Sequence, residues 1–150
     1  MNGASSTNNP LQFALALGLG CDRGTPAATI NQAISEALAV CGGQMSDVHA
    51  VASIDLKADE EGLLQVARER GWCIHFYPAA DLAAVDVPNP SETVRRHTGS
   101  PSVSEAAALL AATADRADLI VEKHKLRGPD GRNATISIAR IRKMSTNERH

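Results

Sequence analysis

Small and charged residues gather in four short motifs of this 150-residue chain, each of which follows or opens a predicted helix or strand. The motifs occupy residues 18–25, 52–60, 89–92 and 122–125. In an α/β fold, the loops beyond the strand ends line the crevice in which ligands bind. Backbone amides at glycines, guanidinium groups and ammonium groups all bind oxyanions. The four motifs therefore predict a site for a molecule with several negative charges.

The first motif places Gly18, Gly20 and Gly24 between a predicted strand and a predicted helix. Glycines let a ligand approach the backbone, and free amides at a helix amino terminus suit an anion; Arg23 can fork onto a carboxylate or phosphate. The glycine spacing differs from the dinucleotide pattern G-x-G-x-x-G, and no acid lies about 20 residues further on, where a ribose partner is expected. A nucleotide is therefore disfavoured. A tight turn that needs glycines for packing remains an equal alternative to an anion loop.

Cys21, Lys57 and Glu60 carry side chains that can react or transfer a proton. A helix amino terminus and Arg23 would both lower the pKa of the Cys21 thiol and make it a nucleophile. A small structural cysteine is the favoured alternative. Lys57 can face the crevice as an anion ligand or an acid. The favoured alternative is an ion pair with Asp55 that holds the loop, with the acids at the helix start favouring the helix dipole.

The third motif and the helix that follows it contain residues that suit caps as well as ligands. Ser91 is a predicted N-cap and Asn89 is held extended by the following proline; with Glu92, they can also present polar groups to a ligand. Ser102 and Glu105 have the spacing of a capping box, which is favoured over a catalytic pair. The histidines show no metal-ligand spacing, so we expect neither a metal nor a cofactor.

Hydrophobic patterns and turn residues predict ten elements in the order β-α-β-α-β-α-α-α-β-β. The strands are predicted at residues 13–19, 48–54, 73–77, 119–125 and 134–142, and the helices at residues 26–41, 59–70, 78–84, 91–99 and 103–114. The first helix is expected to begin with Thr25 as N-cap and Pro26 at its first position. Glycine is expected to end it at residues 42–43 and to end the second helix at Gly71.

This order predicts an α/β fold. Strands that alternate with helices require right-handed parallel crossovers, and the terminal hairpin adds at least one antiparallel strand. We expect a three-layer α/β/α sandwich around a five-stranded, mostly parallel mixed sheet with a C-terminal hairpin. Residues 11–143 are expected to form one domain, between a disordered N-terminus (residues 1–10) and a flexible tail (residues 144–150).

Composition excludes several partners. The chain has one Trp, one Tyr and two Phe, which is too few for the aromatic platforms that bind single-stranded nucleic acid. The net charge is −2, although residues 122–143 hold seven basic and two acidic residues. This basic segment is interpreted either as a solvated face or as a surface that attracts an anion. Three cysteines, no signal peptide and no run of membrane-spanning length predict a cytoplasmic protein without membrane contact.

The motifs together resemble a family of cobalamin-biosynthesis proteins, which comprises the stand-alone CobE protein and the C-terminal domain of CbiG. The resemblance covers residues 13 to about 142, and it also includes Glu60 and Lys123. The matching segments are GLGCDRGT at residues 18–25, ASIDLK at residues 52–57, NPSE at residues 89–92, SVSEAAALL at residues 102–110 and ATISIAR at residues 134–140. Their order and spacing together are specific, although no single motif is diagnostic.

The resemblance implies a role in building the corrin ring of vitamin B12. CbiG proteins open a lactone on a cobalt-containing precorrin and release acetaldehyde. The chain has no room for the N-terminal part of CbiG, so we expect it to be closer to CobE than to an independent hydrolase. The leading hypothesis is a protein that binds, delivers or helps transform a precorrin, whose acetate and propionate groups suit a cationic crevice.

Two alternatives remain: a hydrolase or lyase that acts on a ring lactone, with Lys57 or Glu60 as acid or base, and a non-catalytic partner of another corrin-pathway enzyme. The residues that we expect to contact the precorrin or a similar polycarboxylate tetrapyrrole are Gly18, Gly20, Cys21, Arg23, Gly24, Thr25, Asp55, Asn89, Ser91, Glu92 and Lys123.

Overall fold

The computed structural model describes residues 14–85, 87, 103–114 and 116–141. Several predictions concern residues outside these ranges. They are the two terminal tails, the short helix opened by Ser91, the site residues Asn89, Ser91 and Glu92, and the cap at Ser102.

Five strands and four helices make up the described part of the chain. The strands are β1 (Ala14–Cys21), β2 (Val48–Ile54), β3 (Ile74–Tyr77), β4 (Leu119–Arg127) and β5 (Asn133–Ile141). The helices are α1 (Ala27–Cys41), α2 (Glu61–Arg70), α3 (Ala79–Ala83) and α4 (Val103–Ala112). Short 3₁₀ turns cover Met45–Asp47, Asp55–Lys57 and Arg116–Asp118.

The strands form one sheet in the order β3-β2-β1-β5-β4. Strand β2 pairs in parallel with β1 and β3, whereas β5 pairs antiparallel with both β1 and β4. Four strands therefore run in one direction and β5 runs against them. This arrangement confirms the α/β class and the five-stranded mixed sheet with a C-terminal hairpin. The carboxyl ends of β1, β2 and β4 consequently lie at the same edge of the sheet.

The sheet separates two apolar cores. On one face, Leu15, Leu17 and Leu19 of β1 pack with Ile30 and Ile34 of α1. On the other face, the core includes the small residues Ala16, Ala52, Ala106, Ala107 and Ala108. A Cβ atom at Gly18 would overlap the backbone carbonyl of Ser104 in α4. The alanine-rich helix therefore rests directly on β1, and Gly18 is needed for this close approach.

Glycine ends the first two helices as predicted. Gly42 follows α1 in the left-handed region with φ 75°, and Gly71 follows α2 with φ 74°. The amide of Gly43 donates to the Leu38 carbonyl at 2.9 Å and that of Trp72 to Ala67 at 2.9 Å. These bonds satisfy carbonyls that the helix ends would otherwise leave unpaired.

The start of α1 differs from the prediction. Pro26 is extended (φ −66°, ψ 151°) and occupies the cap position, so the helix begins one residue later, at Ala27. The Thr25 hydroxyl does not cap the helix; it donates to the carbonyl of Asp22 at 2.7 Å. Likewise, α2 begins at Glu61 instead of Asp59, because residues 55–57 form the 3₁₀ turn that leads into it. None of the helices in the described ranges is long and apolar enough to cross a membrane.

Candidate functional site

Three loops lie at the edge of the sheet that the carboxyl ends of β1, β2 and β4 form. The β1–α1 loop contains Arg23 and Gly24, and the β2–α2 loop contains residues 55–60. Because β1 and β2 are parallel neighbours, these two loops lie side by side. The β4–β5 turn reaches the same edge, because β4 runs in the direction of β1. The first two motifs are therefore brought together with the turn of the predicted hairpin, whose place beside them the sequence did not indicate.

Arg23 ties the first loop to the second. Its guanidinium Nη1 contacts Oδ1 of Asp59 at 3.0 Å and Oε1 of Glu60 at 2.9 Å. Its Nη2 donates to the backbone carbonyl of Leu56 at 3.1 Å. The hydrogen bond and the positive charge of Arg23 hold the pKa of the Asp59 carboxyl below its usual range. Arg23 therefore already has two hydrogen-bond acceptors and a further ion-pair partner within the protein, although 60% of its side chain is exposed.

Glu60 is the buried member of this cluster, with only 3% of its side chain exposed. Its Oε2 accepts a hydrogen bond from the backbone amide of Gly24 at 2.8 Å. Its Oε1 lies at ion-pair distance from Arg23, with angles outside hydrogen-bond geometry. Glu60 precedes α2 but makes no side-chain cap to that helix. The carboxylate that meets the glycine loop is thus supplied by the chain itself.

The β4–β5 turn holds the first loop from the other side. The Asp22 amide donates to the Asn133 carbonyl at 2.9 Å, and the Asn133 amide donates to Oδ2 of Asp22 at 2.8 Å. The Asn133 side chain also donates to Oδ2 of Asp22 at 3.1 Å. Nε of Arg132 donates to the Arg23 carbonyl at 3.0 Å.

Four residues of this assembly were not among the predicted site residues: Asp22, Asp59, Arg132 and Asn133. For the last two, the only sequence signal is the run of turn-forming residues at 127–131 (RGPDG), between the strands of the predicted hairpin. That signal located a turn but not its neighbour in space.

Cys21 does not have the lowered pKa that a nucleophile would need. Burial raises the pKa of its thiol to about 11, against the opposing effect of the Lys57 charge. The interpretation as a nucleophile, whose pKa Arg23 and the helix amino terminus would lower, is therefore wrong. The favoured interpretation, a small structural cysteine, agrees with the packing of the side chain against the apolar core. Desolvation of the thiolate dominates, and α1 begins only at Ala27.

Lys57 follows the carboxyl end of β2, the parallel neighbour of β1, and so lies at the same edge as the first loop; its charge acts on the Cys21 thiol. The expected ion pair between Lys57 and Asp55 is not formed, and Asp55 is exposed. The two residues stand at the ends of a three-residue 3₁₀ turn, in which positions i and i+2 point in different directions. Within the described ranges, the Lys57 ammonium makes no hydrogen bond or ion pair.

The remaining predicted site residues have varied positions. Gly18 lies beneath α4, while Gly20 has room beside it, since an added Cβ would meet only Thr135 at 3.9 Å among the described atoms. Thr25 is buried, and its hydroxyl bonds backbone carbonyls. Lys123 was expected in the same crevice but lies within β4, because that strand continues to Arg127. The structure thus brings the first two motifs together, while Lys123 belongs to a strand and not to a loop beyond its end.

The fourth motif, at residues 122–125, contacts helix α1 through His124. Nε2 of His124 lies 2.8 Å from Oε1 of Glu36, which joins β4 to α1. Val121 pairs with Ile138 and His124 pairs with Ile136, so two residues of β4 but only one of β5 lie between these pairs. Two residues of β4 therefore face one residue of β5, the arrangement of a β-bulge. In the part of the chain that the structure describes, no three His, Cys, Asp or Glu side chains form a cluster that could hold a metal.

Comparison with known proteins identifies the family. Residues 15–139 match the family described as "Cobalamin synthesis G C-terminus". The chain belongs to this family of cobalamin-biosynthesis proteins.

Two curated relatives each share 42% identity with the chain. One is a cobalt-precorrin-5A hydrolase from Priestia megaterium, aligned over 127 residues that cover 85% of this chain and 32% of the relative. The other is Protein CobE from Sinorhizobium sp., aligned over 111 residues that cover 73% of this chain and 71% of the relative. The chain therefore spans about a third of the hydrolase and most of CobE.

A solved structure has the same fold. The crystal structure of CobE, described as a protein from the cobalamin (vitamin B12) biosynthetic pathway, superimposes with a TM-score of 0.73 at 34% identity. The superposition covers 91% of this chain and 96% of that one. The resemblance drawn from the motifs is confirmed.

Proposed function

We propose that this protein binds a precorrin, or a similar polycarboxylate tetrapyrrole, at the edge formed by the β1–α1 and β2–α2 loops. The observation that carries the proposal is the position of Lys57. Its ammonium lies close enough to influence Cys21, yet it has no partner among the described side chains. An ammonium group that no described residue pairs, beside two interlocked loops, is available to a ligand carboxylate.

A neighbouring apolar side chain complements Lys57. Leu56, the preceding residue, is 54% exposed and is one of two large hydrophobic residues exposed in the described structure. It offers an apolar contact to a macrocycle next to the cation that would bind its carboxylates. Arg23 lies in the adjoining loop, but Asp59 and Glu60 offset its positive charge, which leaves Lys57 as the cation for the ligand. We place this binding function in the cytoplasm, where the free cysteines of the chain would stay reduced.

A hydrolase or lyase that acts on a ring lactone is the second candidate. It is favoured by the 42% identity with a cobalt-precorrin-5A hydrolase, of which the chain spans 32%. Lys57 is the candidate acid in this case, because its ammonium lies beside the loops and has no partner among the described side chains. Glu60 is less suitable as an acid or base, since its carboxylate is buried against Gly24 and Arg23.

Incubation of the purified protein with isolated precorrin intermediates separates these functions. Binding predicts that a pigment co-elutes with the protein and keeps its mass. A hydrolase predicts a change in the mass of the pigment that is lost in Lys57→Ala. If no pigment binds or changes, the small-molecule site is wrong, and a role as partner of another corrin-pathway enzyme becomes the better account. Lys125→Ala is a matched control, because Lys125 is exposed on β4 and also lacks a described partner.

A further inference from the structure

The Gly24 amide would be free to bind a ligand anion if the loop stood alone, but Glu60 already occupies it. The Glu60 carboxylate accepts the Gly24 amide at 2.8 Å and contacts Arg23 at 2.9 Å. Gly24 has a backbone φ of 84°, which residues other than glycine rarely adopt. The Glu60 carboxylate therefore binds the backbone amide of a residue whose conformation favours glycine, and the two residues are 36 positions apart in the sequence.

A ligand carboxylate cannot readily replace this group. Glu60 is 3% exposed, so its displacement would leave a buried carboxylate without its partners or force the start of α2 to move. Arg23 is also bonded to Leu56 and Asp59 and would have to exchange these partners. The cluster of Arg23, Asp59 and Glu60 has a formal charge of −1, which does not attract a second carboxylate.

We propose that Glu60 is a positioning residue, which fixes the β1–α1 loop through the Gly24 amide and keeps Arg23 in a structural role. Lys57 is then the cation that meets the ligand. This inference rests on the proposed function for the identity of the ligand, but the loop-fixing role of Glu60 is independent of any ligand. It differs from a proton-transfer role for Glu60, because the carboxylate contacts the protein's own amide and guanidinium.

Two substitutions separate positioning from simple charge. Glu60→Ala and Asp59→Asn each remove one negative charge beside Arg23, but only Glu60 bonds the Gly24 amide. A charge effect alone predicts that both variants bind the polycarboxylate uroporphyrin more tightly. Positioning predicts that Glu60→Ala binds about 10-fold more weakly, whereas Asp59→Asn binds as well as the unmodified protein or better. Equal tightening in both variants would overturn the proposal.

Amide hydrogen exchange tests the loop without a ligand. The Gly24 amide is expected to exchange at least about 10-fold faster in Glu60→Ala, the factor for loss of about 1.4 kcal/mol. Glu60→Gln retains an acceptor for this amide, and its Gly24 exchange should stay within about 3-fold of the original. If Glu60→Ala fails to fold, Glu60→Ser, whose side chain is too short to reach the amide, takes its place and should show the same acceleration. Glu61→Gln, at the next and exposed position, is the matched control and should change nothing. Unchanged Gly24 exchange in a folded Glu60→Ala would contradict the positioning role.

The two readouts keep the claims separate. If the unmodified protein binds no tetrapyrrole, the proposed function fails, and Gly24 exchange still decides whether Glu60 fixes the loop. If precorrin is converted, and Glu60→Gln binds it normally but no longer converts it, Glu60 transfers a proton and the positioning proposal is wrong.

Discussion

Asp22 and Asn133 pair reciprocally through their backbones and one side chain: each amide donates to the other residue, at 2.9 and 2.8 Å. The Asn133 side-chain amide adds a third bond to the same Asp22 carboxylate oxygen at 3.1 Å. This pairing fastens the turn of the β4–β5 hairpin to the loop after β1. The loop that carries Arg23 is therefore held on both sides, by Asn133 on one and by Glu60 on the other.

Replacing Asp22 should destabilise the protein more than replacing Asn133. Asp22→Ala removes the acceptor of two bonds, one of which serves a backbone amide, and should lower the free energy of unfolding by about 1–2 kcal/mol. Asn133→Ala removes only the side-chain donor and should cost about 0.5–1 kcal/mol. Urea unfolding measures both, with the exposed Ser35→Ala as a control. A larger loss of unfolding free energy in Asn133→Ala than in Asp22→Ala would show that the Asp22 carboxylate does not organise this contact.

Gly18 and Gly20 allow a matched test of helix packing. An added methyl at Gly18 overlaps the backbone of α4, whereas at Gly20 it meets only Thr135 among the described atoms. Gly18→Ala should lower the free energy of unfolding by about 1–3 kcal/mol or more, as overpacking does. Gly20→Ala should change it by less than about 1 kcal/mol. Equal losses in thermal or urea unfolding would mean that α4 does not rest on β1 at this point.

The Cys21 thiol should be unreactive at neutral pH. Its pKa is about 11, chiefly because of burial, so little thiolate forms at pH 8. Mass spectrometry of alkylated peptides should show that the exposed Cys73 reacts before Cys21. Cys21 should approach full reactivity only as the pH nears 11. Rapid alkylation of Cys21 in the folded protein at pH 8 would contradict this account.

The same shift in pKa predicts a loss of stability at high pH. The unfolded thiol releases its proton near pH 9.0, whereas the folded one retains it to about 11. Rising pH across this window therefore favours the unfolded state. Replacing Cys21 by Ser should flatten this part of the stability profile. An unchanged profile in the variant would assign the loss to other groups.

The contact between His124 and Glu36 should stabilise the protein in a pH-dependent way. A hydrogen bond from His124, assisted by Gln32, holds the pKa of the Glu36 carboxyl below its ordinary value of 4.5. A lowered pKa in the folded state stabilises it above the unfolded pKa, and this stabilisation is lost as the pH falls through the folded pKa. Glu36→Gln should therefore lose less stability than the unmodified protein below about pH 4.5. Parallel acid-unfolding curves would show that the contact contributes nothing.

The order of elements in the described part of the chain could be predicted because its signals are local. The apolar run that forms β2 was predicted at its observed bounds, Val48–Ile54. The helix ends at Gly42 and Gly71 followed from a backbone conformation that glycine adopts without strain. These features depend on residues close to one another in sequence.

The site could be predicted only in part because its contacts are distant in sequence. Asn133 and Asp22 are 111 residues apart, and Arg132 and Arg23 are 109 apart. The glycine loop was recognised, but its bond to Glu60 was not, since both an anion-binding loop and a tight turn have the same glycines. The high pKa of Cys21 depends on how the chain buries the thiol, which residue type and helix position do not reveal.

The most direct test of the central claim is a titration of uroporphyrin by absorbance, at low and at physiological salt, with the unmodified protein, Lys57→Ala and Lys125→Ala. We expect affinity to fall with salt, because exposed charge pairs are screened within about 8 Å at physiological ionic strength. Lys57→Ala should bind about 10-fold more weakly, a loss of about 1.4 kcal/mol, with a smaller dependence on salt. Lys125→Ala should match the unmodified protein. Equal, salt-independent affinity in all three proteins would contradict a site in which Lys57 binds the carboxylates of a tetrapyrrole.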